Sequence, residues 1–134
     1  ENDPEHAWAL QELGVLLTQV IGGKTGARND FFRFENLAHA LPPIGKRTFE
    51  TITLNYEGFP LRLYCLRINE NIVVLFNGGE KTSRNAQDGL TSMAFVEANQ
   101  FAKRIQDAFY NGEIYIASDQ RKILTHDRSE DIVL

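Results

Sequence analysis

The sequence has little of what staples a chain or carries it through a membrane. Its 134 residues include one cysteine, Cys65, one tryptophan, one methionine and four prolines. A lone cysteine excludes a disulfide framework and a cysteine-ligated zinc site, and fits a reducing, cytoplasmic compartment. No run approaches the ~18 consecutive apolar residues of a membrane-spanning helix, and no leader-like segment opens the chain, so no membrane partner is expected. The first residue is Glu1 rather than Met, which predicts a trimmed or processed start. His6, His39 and His126 are scattered without ligand spacing, so neither a metal nor a cofactor is expected. Asn77-Gly78-Gly79-Glu80-Lys81-Thr82 ends like a phosphate loop, but it lacks the first glycine and has Glu80 where the second belongs.

What is present is ordinary for a folded domain: 43% hydrophobic and 24% charged residues. The net charge of −4 argues against a protein that simply coats nucleic acid. That average hides an asymmetry. Residues 24–84 hold nine bases against six acids, a net of +3, while the remainder holds five against twelve, a net of −7. A basic middle between acidic flanks is either a docking face for an anion or an ordinary solvated surface.

Periodicity supplies the elements. Asp3 and Pro4 suit the cap and first position of a helix, whose apolar side is Trp8, Leu13, Val15, Leu16, Leu17, Val20 and Ile21 and which Gly22-Gly23 ends. Phe31, Phe32, Phe34, Leu37 and Leu41 read as core contributions, with a short second helix within 29–40. Thr48–Tyr56, Leu61–Ile68 and Ile72–Phe76 read as three strands of an antiparallel meander that Asn77-Gly78-Gly79 ends. Ser83–Thr91 reads as a loop. A strong amphipathic helix follows from Thr91 or Ser92 to Tyr110, with Met93, Val96, Ala98, Phe101, Ala102, Ile105, Ala108 and Phe109 near one side. A hairpin of Glu113–Ala117 and Lys122–Thr125 follows it. The order predicts an α+β fold: an antiparallel three- to four-stranded twisted sheet packed on N-terminal and C-terminal-half helices, plus a C-terminal β-hairpin. Residues 1–112 form the main unit and 113–134 its hairpin extension.

The chemistry-bearing candidates are polar residues on strands that otherwise read as core. Arg62 and Tyr64, at i and i+2, share one strand face, with Leu63, Cys65 and Arg67 on the other. Lys81 and Arg84 follow the third strand. Arginine and lysine beside a tyrosine suit the gripping of a phosphate and of the charge that develops when a ribose 2′-oxygen attacks it. On spacing alone, Arg62 equally reaches a carboxylate such as Glu50 while Tyr64 packs in the core. Cys65, mid-strand, reads as a buried small hydrophobe rather than a nucleophile.

The succession Leu61-Arg62-Leu63-Tyr64-Cys65-Leu66, then Ile72–Gly79, then Glu80-Lys81-Thr82-Ser83 and a helix resembles the RelE/HigB superfamily of bacterial type II toxins. The opening Asp3-Pro4-Glu5-His6 is similar to its HigB-like branch. The resemblance implies ribosome-dependent endoribonuclease cleavage of messenger RNA and a cognate antitoxin partner. It also implies that Arg62 and Lys81 contact phosphate while Tyr64 or a neighbour assists proton transfer, with Lys46, Arg47 and Arg84 as further RNA contacts. Asn77 stands where a histidine is common in the family, and Glu80 replaces the first loop lysine. The alternatives are a non-catalytic module that binds an antitoxin-like protein through its sheet groove and long helix, or a mobile-element accessory protein. Exposed sheet edges also permit a homodimer.

Overall fold

A computed structural model describes residues 4–49, 52–80, 92–129 and 132. Asp3, the 83–91 stretch, Lys81 and Arg84 lie outside the described residues. Helix α1 (Pro4–Val15) runs on into wider π-helical turns over Leu16–Thr25, past the expected stop at Gly22-Gly23, and ends at Gly26. Its buried stripe is Ala9, Leu13, Leu16 and Val20. This spacing is that of one helix face, whereas Trp8 leaves the stripe and meets Phe59 at a ring-centroid separation of 5.7 Å.

The expected short helix within 29–40 is not there. A single 3-10 turn at Asn29–Phe31 is followed by a hairpin of β1 (Arg33–Glu35) and β2 (Ala38–Leu41), turning at Asn36 with φ 69°. Asparagine tolerates that left-handed backbone, and two strands form where the aromatic run obscured any alternation. Phe31 and Phe32 are buried as expected, but Phe34 and Leu37 are exposed.

Thr48–Tyr56 is likewise not one meander strand. It belongs to the hairpin of β3 (Lys46–Phe49) and β4 (Ile52–Asn55), which forms a two-stranded sheet of its own. Main-sheet pairing falls instead to β2, β5 (Leu61–Asn69) and β6 (Ile72–Glu80), in the antiparallel order β1-β2-β5-β6. β6 does not stop at Asn77-Gly78-Gly79. Gly78 pairs with Leu63 and Gly79 with Arg62, and a Cβ at Gly78 would stand 2.6 Å from the Arg62 carbonyl oxygen, so only glycine lets the ladder close there. A β-bulge at Tyr64/Cys65 sets Phe76 as an extra residue on β6.

Helix α2 (Ser92–Tyr110) stands where the sequence puts it and closes with Gly112 N–H bonded to the Phe109 carbonyl and Glu113 N–H to that of Ala108. Phe95, Ala98, Ala102, Ile105 and Ala108 make its buried face, whereas Met93 and Val96, expected on that face, are exposed. The C-terminal hairpin, β7 (Ile114–Ile116) with β8 (Ile123–Thr125), is present as expected. The sheet thus separates two cores. Leu13, Leu16, Phe31, Leu41 and Cys65 pack on the α1 side; Ala40, Tyr64, Leu66, Phe95, Ile105 and Ile114 pack on the α2 side. Ile123 and Ile132 join the second, so the hairpin extension shares the core of the main unit.

Candidate functional site

Strand alternation carries Arg62 and Tyr64 to the α2 face of β5, side by side as their spacing predicts. Both are interior groups. Tyr64 is fully buried, edge-on to Phe95 at 6.3 Å between ring centroids. Arg62 is 3% exposed, and its Nη1 donates to Glu35 Oε2 at 3.0 Å. That carboxylate belongs to β1, and Glu50 lies outside the described residues. Arg33 and Glu35 are two apart on β1 and register with Ala40 and Ala38 of the same face, so the edge strand adds an acid and a second guanidinium to the group. Arg33 Nε donates to the Pro42 carbonyl at 2.8 Å. Its guanidinium is held below the usual arginine range, by burial first and then by the positive charge of Arg62, with Glu35 and Tyr64 pulling the other way. One carboxylate therefore pairs with Arg62 and acts on Arg33 through its charge. Arg62 Nε is buried with no hydrogen-bond partner among the described residues. Next to them Asn77 Nδ2 donates to the Ala94 carbonyl at 3.2 Å and to Glu97 Oε1 at 3.3 Å, tying β6 to the first turns of α2.

The remaining predicted residues fall elsewhere. Lys46 is exposed on β3, opposite Asn55, and Arg47 registers with Leu54, both on the separate hairpin sheet. Lys81 and Arg84 lie outside the described residues. The partners that sequence reasoning missed, Arg33 and Glu35, carried a usable signal. At i and i+2 they share a face on a strand and diverge on a helix, so the reading of 29–40 as helical concealed them.

Two other groups of chemical interest are held inert. Burial pushes the Cys65 thiol up to about 12, so it stays protonated and un-nucleophilic. His39 Nδ1 accepts the Arg67 backbone N–H at 2.9 Å, and burial first, then the Arg67 charge, lowers its pKa, which keeps the ring neutral. Among the described residues no cluster of three His, Cys, Asp or Glu side chains is placed to hold a metal ion, and no helix is long and apolar enough to cross a membrane.

The described residues cover the other face of the sheet only in part. Between α1 and the ends of β5 and β6 lies a cavity of about 640 Å³. His6, Leu10 and Leu13 form its helical wall, and Leu61, Arg62, Leu63 and the side-chain-free Gly78-Gly79 strip form its floor. Leu10 is 63% exposed on that wall.

No family model, curated protein or solved structure matches the chain.

Proposed function

We propose that the chain is a non-catalytic protein-binding module on a toxin-like α+β scaffold, taking an antitoxin-like partner through the groove beside α1. The observation that supports this reading most is the contrast between the two sheet faces. Among the described residues Arg62 and Tyr64 are buried, the first paired with Glu35 with 3% of its side chain exposed and the second packed on Phe95. On the opposite face the described residues leave a mostly apolar groove. An α+β layer is complete when helices cover the sheet, and among the described residues α1 covers β5 while leaving the Gly78-Gly79 strip bare. The occupant that completes the layer is an apolar helix of the partner, lying alongside Leu10 and Leu13. In this reading the RNA contacts expected of Arg62, Lys81, Lys46, Arg47 and Arg84 do not form an active site.

A messenger-cleaving toxin is the second reading, favoured by the surplus guanidinium of the Arg33–Glu35–Arg62 group, whose buried Arg62 Nε has no hydrogen-bond partner among the described residues. One experiment separates the two. The full chain, carrying a photocrosslinking phenylalanine analogue at Leu10 or at solvent-facing Gln11, is expressed in a bacterial host with the gene product encoded beside it. The module reading expects normal growth, a covalent protein adduct from position 10 and none from position 11. Growth arrest that is lost in Lys81→Ala, with messenger cleaved on ribosomes, overturns it in favour of the toxin.

A further inference from the structure

A second cavity, of about 720 Å³, lies at the other end of the α1 rod and belongs to neither reading. Three distant segments build it: the π-helical turns, the β5–β6 turn and the turn of the C-terminal hairpin. They are fastened together. Asn71 Nδ2 donates to the Gln120 carbonyl at 3.2 Å, and the Ala27 backbone N–H donates to the Glu70 carbonyl at 2.7 Å. The apolar lining includes Leu17, Ile21 and Leu75, the last of which is 51% exposed although it sits on a central stretch of β6. At the rim stand Lys24, Arg121 and Glu70. Neither cation has an ion-pair partner among the described residues.

Wide turns are an uncommon helical form, poorer in packing than the α-helix, and they recur at functional sites. Here they extend over ten residues, Leu16–Thr25, and shape the cavity wall. An ideal Cβ at Gly22 would stand 3.0 Å from the Leu17 carbonyl oxygen, so the glycine pair lets those turns close. The cavity volume lies within the ~300–1,000 Å³ of small-molecule sites, which combine an apolar lining with a few converging polar groups.

We infer that this cavity binds a small amphiphilic monoanion, an acyl or aryl carboxylate. Its apolar body lies on Leu17, Ile21 and Leu75, and its carboxylate sits between Lys24 and Arg121. Two cations and one carboxylate at the rim leave a single uncompensated positive charge, which matches one negative charge on the ligand and disfavours a dianion. Arginine supplies a planar fork for the carboxylate and lysine a point charge.

The test uses the full chain and three eight-carbon probes, octanoate, octanol and octylamine, titrated by isothermal calorimetry with amide chemical shifts as the map. Octanoate binds most tightly, and its shifts concentrate at Leu17–Ala27, Val73–Leu75 and Arg121. Lys24→Ala with Arg121→Ala, both exposed changes, weakens octanoate about tenfold or more and leaves octanol unchanged. Leu75→Trp, which fills the cavity from an exposed position, abolishes both. Equal affinity for octanoate and octanol, an unaltered octanoate affinity in the double variant, or shifts centred outside these segments overturns the assignment. Because the readout is direct binding at the end of the rod remote from Leu10, its failure leaves the groove reading standing, and the converse holds.

Discussion

Replacing Glu35 with methionine removes the one carboxylate that Arg62 touches among the described residues. The two side chains are 12% and 3% exposed and meet at 3.0 Å, so the guanidinium has almost no water to fall back on. Breaking a buried pair from one side costs about 3–5 kcal/mol, and the partial exposure of Glu35 argues for the lower end, about 3 kcal/mol. The loss is aggravated because Arg33 and Arg62 then face each other without an intervening negative charge. Arg62→Met is milder, about 1–2 kcal/mol, since Glu35 lies nearer to solvent and keeps Arg33 close. The double variant Glu35→Met with Arg62→Met returns to within about 1 kcal/mol of the parent, because a buried pair exchanged for apolar side chains of similar volume is close to neutral. Urea unfolding followed by circular dichroism reads all four proteins. With a slope of about 2 kcal/mol per molar urea, the Glu35 variant moves its midpoint down by about 1.5 M. A Glu35→Met loss below about 1 kcal/mol, or simple additivity in the double variant, refutes the reasoning, since either result means that the Arg62 charge is hydrated in the native state.

Asn99 on α2 accepts two backbone N–H groups with one oxygen, from Leu37 at 2.7 Å and Ala38 at 2.8 Å. Asn99→Ala is expected to cost about 1–3 kcal/mol in the same urea assay and to raise amide exchange at Leu37 and Ala38 selectively. The pKa of His39 is lower in the folded chain than in the unfolded one, so its contribution is present above the unfolded value near 6.5 and is lost as pH falls through the folded value. Thermal midpoints of the parent therefore drop more steeply than those of His39→Gln as pH falls below about 6.5, and parallel curves would remove this role.

Much of the fold was legible because strong periodicity leaves little choice. Helix α2, the C-terminal hairpin and the two long strands β5 and β6 all announce themselves. The 29–56 region did not, for two physical reasons. Phe31-Phe32-Arg33-Phe34 fits no single period, and the pairing of β2 with β5 is a tertiary choice that no local pattern records. Thr48–Tyr56 alternates well enough for one strand, yet the chain turns back on itself within it. At the site, alternation placed Arg62 beside Tyr64 correctly. Their burial was not legible, because it depends on what covers the face: Phe95 of α2 and Glu35 of an edge strand that had been read as helix. A glycine pair also carried less information than it offered, since Gly78-Gly79 continues a ladder where the composition suggested an end.

The double hold of Asn99 on the Leu37–Ala38 turn has a consequence for the order of assembly. The β1–β2 hairpin can form as soon as its own nine residues exist, but its register against the sheet is set by β5, through pairs such as His39 with Cys65. Its turn is then fixed by a side chain 61 and 62 positions further along. A chain emerging from the ribosome therefore carries this hairpin with the outer edge of β2 unpaired until β5 has been made, and with its turn unclamped until more than half the remaining sequence has been made. Closing such long separations is slow relative to helix formation. The exposed interval is the period in which an unpaired edge can meet another nascent chain. The Asn99 clamp, arriving late, converts a provisional pairing into a permanent one.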